Sequence, residues 1–297
     1  MSAIEDRPRL PAVVLIAHDK PRHLHRLVAA LAPLPIFLHI DANTNEALFA
    51  AMTADLPARV RLLPRLPAGW GRFEVTEAEL LGYRTALTET QASHVILATG
   101  ADYPLANVER IVEELAAEPT RSYAEIAPLP IQEWGLLRGY DRLVFRQRAW
   151  RRRRLAWPVP RRIPRPLRPS GGAQTKILTR RHAQLVLDVL DDRPQLLRFF
   201  RSCWMPDEVM IPTLLLSEEF GAKWSEEGSS LPHPWYIDWG ATPTKSPRWL
   251  GLGDLNALRA AAFRPGVPAL FARKFAEHSD DLLAAIDAEL RLSARSR

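Results

Sequence analysis

Short apolar runs alternate with stretches of helical spacing along the first half of the chain. Ala12–Ala17 (AVVLIA) has the branched, uninterrupted pattern of a strand buried on both faces. Asp19 then precedes a helical pattern from Pro21, with Leu24, Leu27, Val28 and Leu31 three and four residues apart. Ile36–Ile40 reads as a second strand, Asn45–Met52 as a helix and Val60–Leu63 as a third strand. Val75–Leu87 has helical spacing, and His94–Ala98 (HVILA) is a fourth strand ending in the loop Thr99–Pro104. A helix over Asn107–Ala117 and a strand over Ser122–Ile126 complete this half.

Strands and helices alternating at this spacing predict an α/β fold with a mostly parallel sheet covered on both faces. Ligands on such sheets bind beyond the carboxyl ends of the strands. That rule places His18, Asp41 and Asp102, each just after a strand, along one rim.

The second half opens differently. Arg146–Pro169 (RQRAWRRRRLAWPVPRRIPRPLRP) is dense in arginine and proline and holds no regular helix beyond Pro158. It reads as a solvated loop or as a basic patch for an anionic lipid surface, and Trp150 and Trp157 favour an interface. Regular structure resumes with a strand at Gln174–Leu178 and a helix at Arg180–Leu190 capped by Thr179. Helices over Pro194–Phe200 and Asp207–Leu216 follow, and an amphipathic helix spans Ser279–Leu292. Trp235–Trp239 (WYIDW) is the densest aromatic cluster.

Composition narrows the class. At 297 residues, 47% hydrophobic and 25% charged, the chain is globular in character. The formal charge of +6 suits a partner carrying phosphates but selects no particular one. Cys203 is the single cysteine, which removes internal disulfides and thiolate zinc clusters and points to a reducing, cytoplasmic setting. No run approaches the length of a membrane span, and Met1–Arg9 lacks the apolar core of a secretory signal.

Several chemistries lack their residues. There is no G-x-G-x-x-G after the first strand, no P-loop, no G-x-S-x-G elbow, no H-E-x-x-H and no Asp-x-Asp metal handle. Two segments do carry chemistry. In Arg201–Thr213 (RSCWMPDEVMIPT), Asp207 and Glu208 open an apolar helix. They read as a helix-terminus pair, with Glu208 able to face a cleft as a general base. In Leu270–Phe275 (LFARKF), Arg273 and Lys274 sit in an apolar frame; a planar fork beside a point charge suits a diphosphate. Only five of the 40 cations are lysines, which marks Lys245 and Lys274 out.

Taken in order, VLIAHDKP, FLHIDAN, GWGRFEVTEAEL, ILATGADYPL, GGAQTKILTRRHA, PDEVMIPT, WYIDWG with SPR, and LFARKF resemble the core-2/I-branching β-1,6-N-acetylglucosaminyltransferase family, which includes the peptide O-xylosyltransferases. The likeness runs from Val13 to Phe275 except for the arginine-rich middle. It implies a GT-A type glycosyltransferase fold and inversion at the anomeric carbon without a metal or other cofactor. The resemblance implies a uridine pocket lined by His18 and Asp41, helped by backbone at Trp70 and Gly71. Asp102 falls where metal-dependent relatives keep a metal-binding acid. Glu208 matches the catalytic base, Arg273 and Lys274 the diphosphate cations, and Lys245 or Arg248 a further cation. Gln174, Asp207, Tyr236 and Trp239 fall on the acceptor and sugar side. After Gly171–Gln174 the family commonly has aromatics, whereas this chain has Thr175 and Lys176. Lys176 then reads either as a sign of an anionic acceptor or as a solvent-facing strand residue.

The expectation is one glycosyltransferase domain over 1–297. A Rossmann-like nucleotide half lies at 11–130, a basic loop at 146–169, and an acceptor and diphosphate half at 170–297. The expected partners are a UDP-sugar, with N-acetylglucosamine as the expected sugar, and a glycan acceptor hydroxyl. Arg146–Arg168 is the candidate contact with an anionic membrane, and no nucleic acid is expected. The alternatives are xylosyl transfer on the same fold, or a non-enzymatic module binding polyanions through that basic run.

Overall fold

A computed structural model describes residues 9–150, 153–240 and 246–291. Its first unit is β1 (Ala12–Ala17), α1 (Pro21–Ala30), β2 (Ile36–Ile40), α2 (Glu46–Thr53), β3 (Val60–Leu62) and α3 (Phe73–Glu89). Next come β4 (His94–Thr99), β5 (Asp102–Pro104), α4 (Val108–Ala117), β6 (Ser122–Pro128) and α5 (Tyr140–Val144). A hairpin of β7 (Gln147–Trp150) and β8 (Arg153–Ala156) precedes β9 (Ser170–Thr179), α6 (Arg180–Asp192), α7 (Pro194–Phe200) and α8 (Pro206–Leu216). The chain ends with α9 (Trp224–Glu227), β10 (Gly228–Ser229), β11 (Trp235–Ile237), α10 (Leu255–Ala262), β12 (Phe271–Arg273) and α11 (Asp280–Glu289).

Seven strands form the central sheet in the order β10-β6-β9-β4-β1-β2-β3. β9 runs antiparallel to both of its neighbours, β4 and β6; the other pairings are parallel. The α/β fold with a mostly parallel sheet flanked by helices is therefore as the sequence implied.

The apolar runs make sense in this position because each strand feeds two cores. Val13, Leu15 and Ala17 of β1 point to one side, with Ile96 and Ala98 of β4, and pack on α1, α4 and α11. Ala12 and Val14 point to the other, with Val95 and Leu97, and pack on α3, α6 and α8. Strict two-residue alternation of faces, with apolar residues on both, is what a strand sandwiched between helix layers requires.

Several elements depart from the sequence reading. The loop expected at Thr99–Pro104 contains strand β5, which its pairing with the distant β12 creates. The strand expected at Gln174–Leu178 extends over Ser170–Thr179, its glycine-rich start lying against the end of β6. The arginine-rich stretch holds a β hairpin, with Gln147 opposite Ala156 and Arg148 opposite Leu155. Backbone pairing there needs no apolar alternation, so the sequence pattern gave no sign of it. Lys176 does not face solvent: it is fully buried on β9, as is Thr175. Neither residue meets an acceptor at the surface, so both readings of Lys176 from sequence fall away. Among the described residues no helix is long and apolar enough to cross a membrane.

Candidate active site

A cavity of about 790 Å³ opens at the carboxyl ends of β1, β2 and β4. Its walls come from many separated stretches of sequence, which the fold brings together.

The β1–α1 connection supplies His18, Asp19 and Lys20. Lys20 takes a left-handed backbone conformation (φ 58°) immediately before Pro21 opens α1, so the chain turns sharply at the rim. Asp41 follows β2, and its Oδ1 accepts from the Asn43 backbone N–H at 2.8 Å. Beyond β3, His39 Nε2 accepts from the Leu66 N–H at 2.9 Å and Ala42 N–H donates to Leu66 O at 2.9 Å. These bonds hold the following segment against β2 and bring Trp70 and Gly71 to the cavity. Gly71 has φ +70°, and a Cβ there would lie 2.9 Å from the Trp204 ring, so both its conformation and its space call for glycine. Trp70 is 63% exposed and meets Trp204 edge to face at 5.2 Å.

The cations gather through a second, three-stranded sheet in the order β11-β12-β5. Antiparallel pairing sets Arg273 of β12 opposite Asp102 of β5, and the guanidinium Nε lies 3.4 Å from Asp102 Oδ1. Asp102 itself is fully buried and does not line the cavity; its Oδ2 accepts from the Thr99 N–H at 2.7 Å. Burial pushes its carboxyl upward, with the Arg273 charge opposing that. Asp102 thus lies beneath the floor and orients Arg273, which does reach the cavity. Lys274 is held in place by Leu250 N–H donating to Lys274 O at 2.9 Å, and its Nζ donates to Ser246 Oγ at 2.6 Å. The ammonium groups of Lys274 and Lys20 both sit over the Trp249 ring, 3.9 and 5.2 Å from its centre. Burial, then the charges of Arg273 and Lys20, lower the Lys274 pKa. Asp19, 2.5 Å from Lys20 Nζ, and Asp102, beside Arg273, offset part of this repulsion.

Carboxylates line the same cavity. α8 begins after Met205, whose left-handed conformation (φ 49°) and the following Pro206 fix the helix start. Asp207 and Glu208 both lie in its first turn and line the cavity, and no side chain caps the helix. Asp207 is almost wholly buried, and its Oδ1 has no hydrogen-bond partner. Desolvation first, then repulsion from Glu208, pushes it up to about 7, against the pull of Lys176. Glu208 is partly exposed and ion-paired with Arg142 of α5. The Arg142 guanidinium is in turn stacked on the Trp134 ring, 3.5 Å from its centre. Glu125 also lines the cavity, at an irregularity between Ala124 and Ile126 of β6. It is open to cleft water, yet the enclosing walls and the Glu208 charge raise its pKa. Gln174 of β9 lies beside it. Among the described residues no group of three or more His, Cys, Asp or Glu side chains is arranged to hold a metal ion.

The cavity therefore unites His18, Asp41, Trp70, Gly71, Gln174, Asp207, Glu208, Trp239, Arg273 and Lys274 of the residues singled out from sequence. It leaves out Asp102, Tyr236 and Arg248. Arg248 is instead clamped between Asp238 (2.5 Å) and Asp254 (2.6 Å), which raises its already high pKa. Lys245 lies outside the described residues. Sequence reasoning missed Lys20, although the rim rule that found His18 reaches two residues further. It also missed Arg142, Trp249 and Glu125, whose roles depend on partners distant in sequence.

One cleft at the carboxyl edge of an α/β sheet thus brings together Lys20, Arg273 and Lys274 with Asp207, Glu208 and Glu125. The chain belongs to the core-2/I-branching enzyme family: the family profile described as "Branch: Core-2/I-Branching enzyme" matches residues 32–259. It is thus a glycosyltransferase, with a nucleotide-sugar donor and a glycan acceptor, and the non-enzymatic reading falls away. A crystal structure of a putative glucose-1-phosphate thymidylyltransferase from Bacillus anthracis in complex with a sucrose matches at 9% identity and a TM-score of 0.30. That match covers 60% of this chain and 75% of the other, and is too slight to bear on the site. No curated protein sequence matches the chain.

Proposed function

We propose that the protein moves N-acetylglucosamine from its UDP conjugate to a hydroxyl of a glycan precursor, by a single inverting displacement. The observation that carries this reading is that Lys20, Arg273 and Lys274 line the same cavity as Glu208. The acceptor oxygen attacks the anomeric carbon as the bond from that carbon to the diphosphate oxygen breaks. The hydroxyl proton passes to the Glu208 carboxylate, and the bonding pair leaves with UDP. Arg142 and Trp134 hold the Glu208 carboxylate in one orientation, which serves a base that must meet one hydroxyl.

Charge building on the departing diphosphate meets cations already in place. Arg273 is aligned by Asp102, and Lys274 by Ser246 and Trp249, so little reorganisation accompanies the reaction. In this reading the three side chains do the work a divalent ion does in other sugar-nucleotide enzymes. His18, Asp41, Trp70 and Gly71 take the nucleoside, and Gln174, Asp207 and Trp239 take the sugars. Contact of Arg146–Arg168 with an anionic membrane brings the cleft to lipid-linked acceptors.

Replacing Glu208 by Gln tests the base. Transfer is expected to fall by roughly 10²–10⁴ while UDP affinity holds; transfer within a few-fold of the parent protein refutes the assignment. A thermal-shift series with UDP, UDP-N-acetylglucosamine, UDP-xylose and UDP-glucose ranks the donors, and UDP-xylose leading the series replaces the sugar named here.

A further inference from the structure

Every residue of Leu155–Pro160 (LAWPVP) is exposed. Leu155 is 49% exposed, Trp157 64% and Val159 62%. Large apolar side chains are ordinarily scattered singly over a surface, whereas here three are exposed within five positions. Exposed arginines surround it in sequence: Arg146 before it, and Arg162, Arg165 and Arg168 after it. Between Arg142 and Leu187 the sequence contains no Asp or Glu at all.

The segment is held, not loose. Trp157 N–H donates to Arg146 O at 2.8 Å, and Arg161 N–H to Val144 O at 2.7 Å. The Arg161 side chain turns inward, donating to Leu143 O at 3.0 Å and to Ser202 Oγ at 2.6 Å. One arginine thus pegs the segment to the body while its neighbours remain outside. The ends lead to the cleft: α5 carries Arg142, the partner of Glu208, and β9 carries Gln174.

We propose that residues 155–168 are a membrane-docking element that sets Leu155, Trp157 and Val159 into the headgroup boundary of an anionic bilayer, with Arg162 and Arg165 on the lipid phosphates. An apolar tip with a cationic rim complements a surface that is apolar below and anionic above; Arg168, at the far end of the rim, lies 3.9 Å from the exposed Glu218, which leaves Arg162 and Arg165 as the rim's main cations. A nucleic acid would instead call for aromatics interleaved along the basic run, and Trp157 is the one exposed ring of residues 155–168. The proposal sharpens the membrane contact included in the functional reading, but its observations do not depend on the donor site.

Flotation of the full chain with phosphatidylcholine vesicles, with and without phosphatidylglycerol, tests it. The protein is expected to float with the anionic vesicles and to remain behind with phosphatidylcholine alone, and binding falls as salt rises. The double variant Leu155→Ser/Trp157→Ser loses at least about tenfold in binding, and Arg162→Gln/Arg165→Gln loses severalfold. UDP affinity is unchanged in both, which shows that they fold. No flotation with phosphatidylglycerol, equal flotation without it, or variants that float like the parent overturns the proposal. So does single-stranded RNA that displaces the protein from vesicles while losing affinity in the same variants, or a dimer in solution that Trp157→Ser dissociates. Failure here with UDP bound normally leaves the transferase reading standing, and failure of the Glu208 test leaves the docking element standing.

Discussion

Replacing Lys176 with Met should cost more stability than any surface change, because of what it leaves behind. Lys176 Nζ donates to Glu79 Oε1 at 2.9 Å, with both side chains fully buried. Tyr83 Oη donates to the same oxygen at 2.6 Å, and Glu79 Oε2 has no hydrogen-bond partner. Without the ammonium, a carboxylate remains in the core with one neutral donor. Breaking a buried pair from one side costs about 3–5 kcal/mol, and at about 2 °C per kcal/mol for a chain of this size Tm falls by roughly 6–10 °C. Replacing both partners, Glu79→Gln with Lys176→Met, should recover most of that loss, since the exposed liability is the unpaired charge. Thermal and urea unfolding of the four proteins closes the cycle. Additive losses, or a lone Lys176→Met within about 1 kcal/mol of the parent, would refute the reasoning.

Three further outcomes follow from the same geometry. Asp207 is raised to about 7 from an ordinary value near 3.8, so its neutral form suits the folded state: stability is full below the ordinary value and declines as pH rises through about 7. Asp207→Asn should flatten that decline, raising Tm relative to the parent at pH 8 but not at pH 4; an unchanged pH profile contradicts it. A Cβ at Gly172 would meet Glu125 O at 1.6 Å, so Gly172→Ala must displace the β6–β9 contact, at a cost of about 1–3 kcal/mol in urea unfolding. Arg142→Gln should lower transfer severalfold or more with UDP affinity unchanged, because it frees the base to turn; equal losses in both would place Arg142 in the donor site instead.

The strands and the rim of the cleft were legible in the sequence because both are local. AVVLIA and HVILA feed two cores by simple alternation, and a residue one or two places past such a strand falls at the sheet's carboxyl edge. What escaped was set by pairing across long separations. Lys176 looks solvent-bound until α3 brings Glu79 to it, 97 positions away in sequence. Asp102 sits on the predicted edge but turns inward, where β12 presents Arg273. Arg248 has the chemistry of a diphosphate ligand, yet Asp238 and Asp254 already engage it. Arg142 and Trp134 carry no motif, and their role exists only because Glu208 lies beside them.

Titrating UDP into the protein by calorimetry, with EDTA present, puts the cation corner to the most direct test. UDP should bind without a divalent ion, and Lys274→Gln should weaken it at least about tenfold, or about 1.4 kcal/mol. Binding that appears only when Mn²⁺ is added, or a Lys274→Gln affinity equal to the parent's, would contradict the assignment of the leaving diphosphate to these side chains.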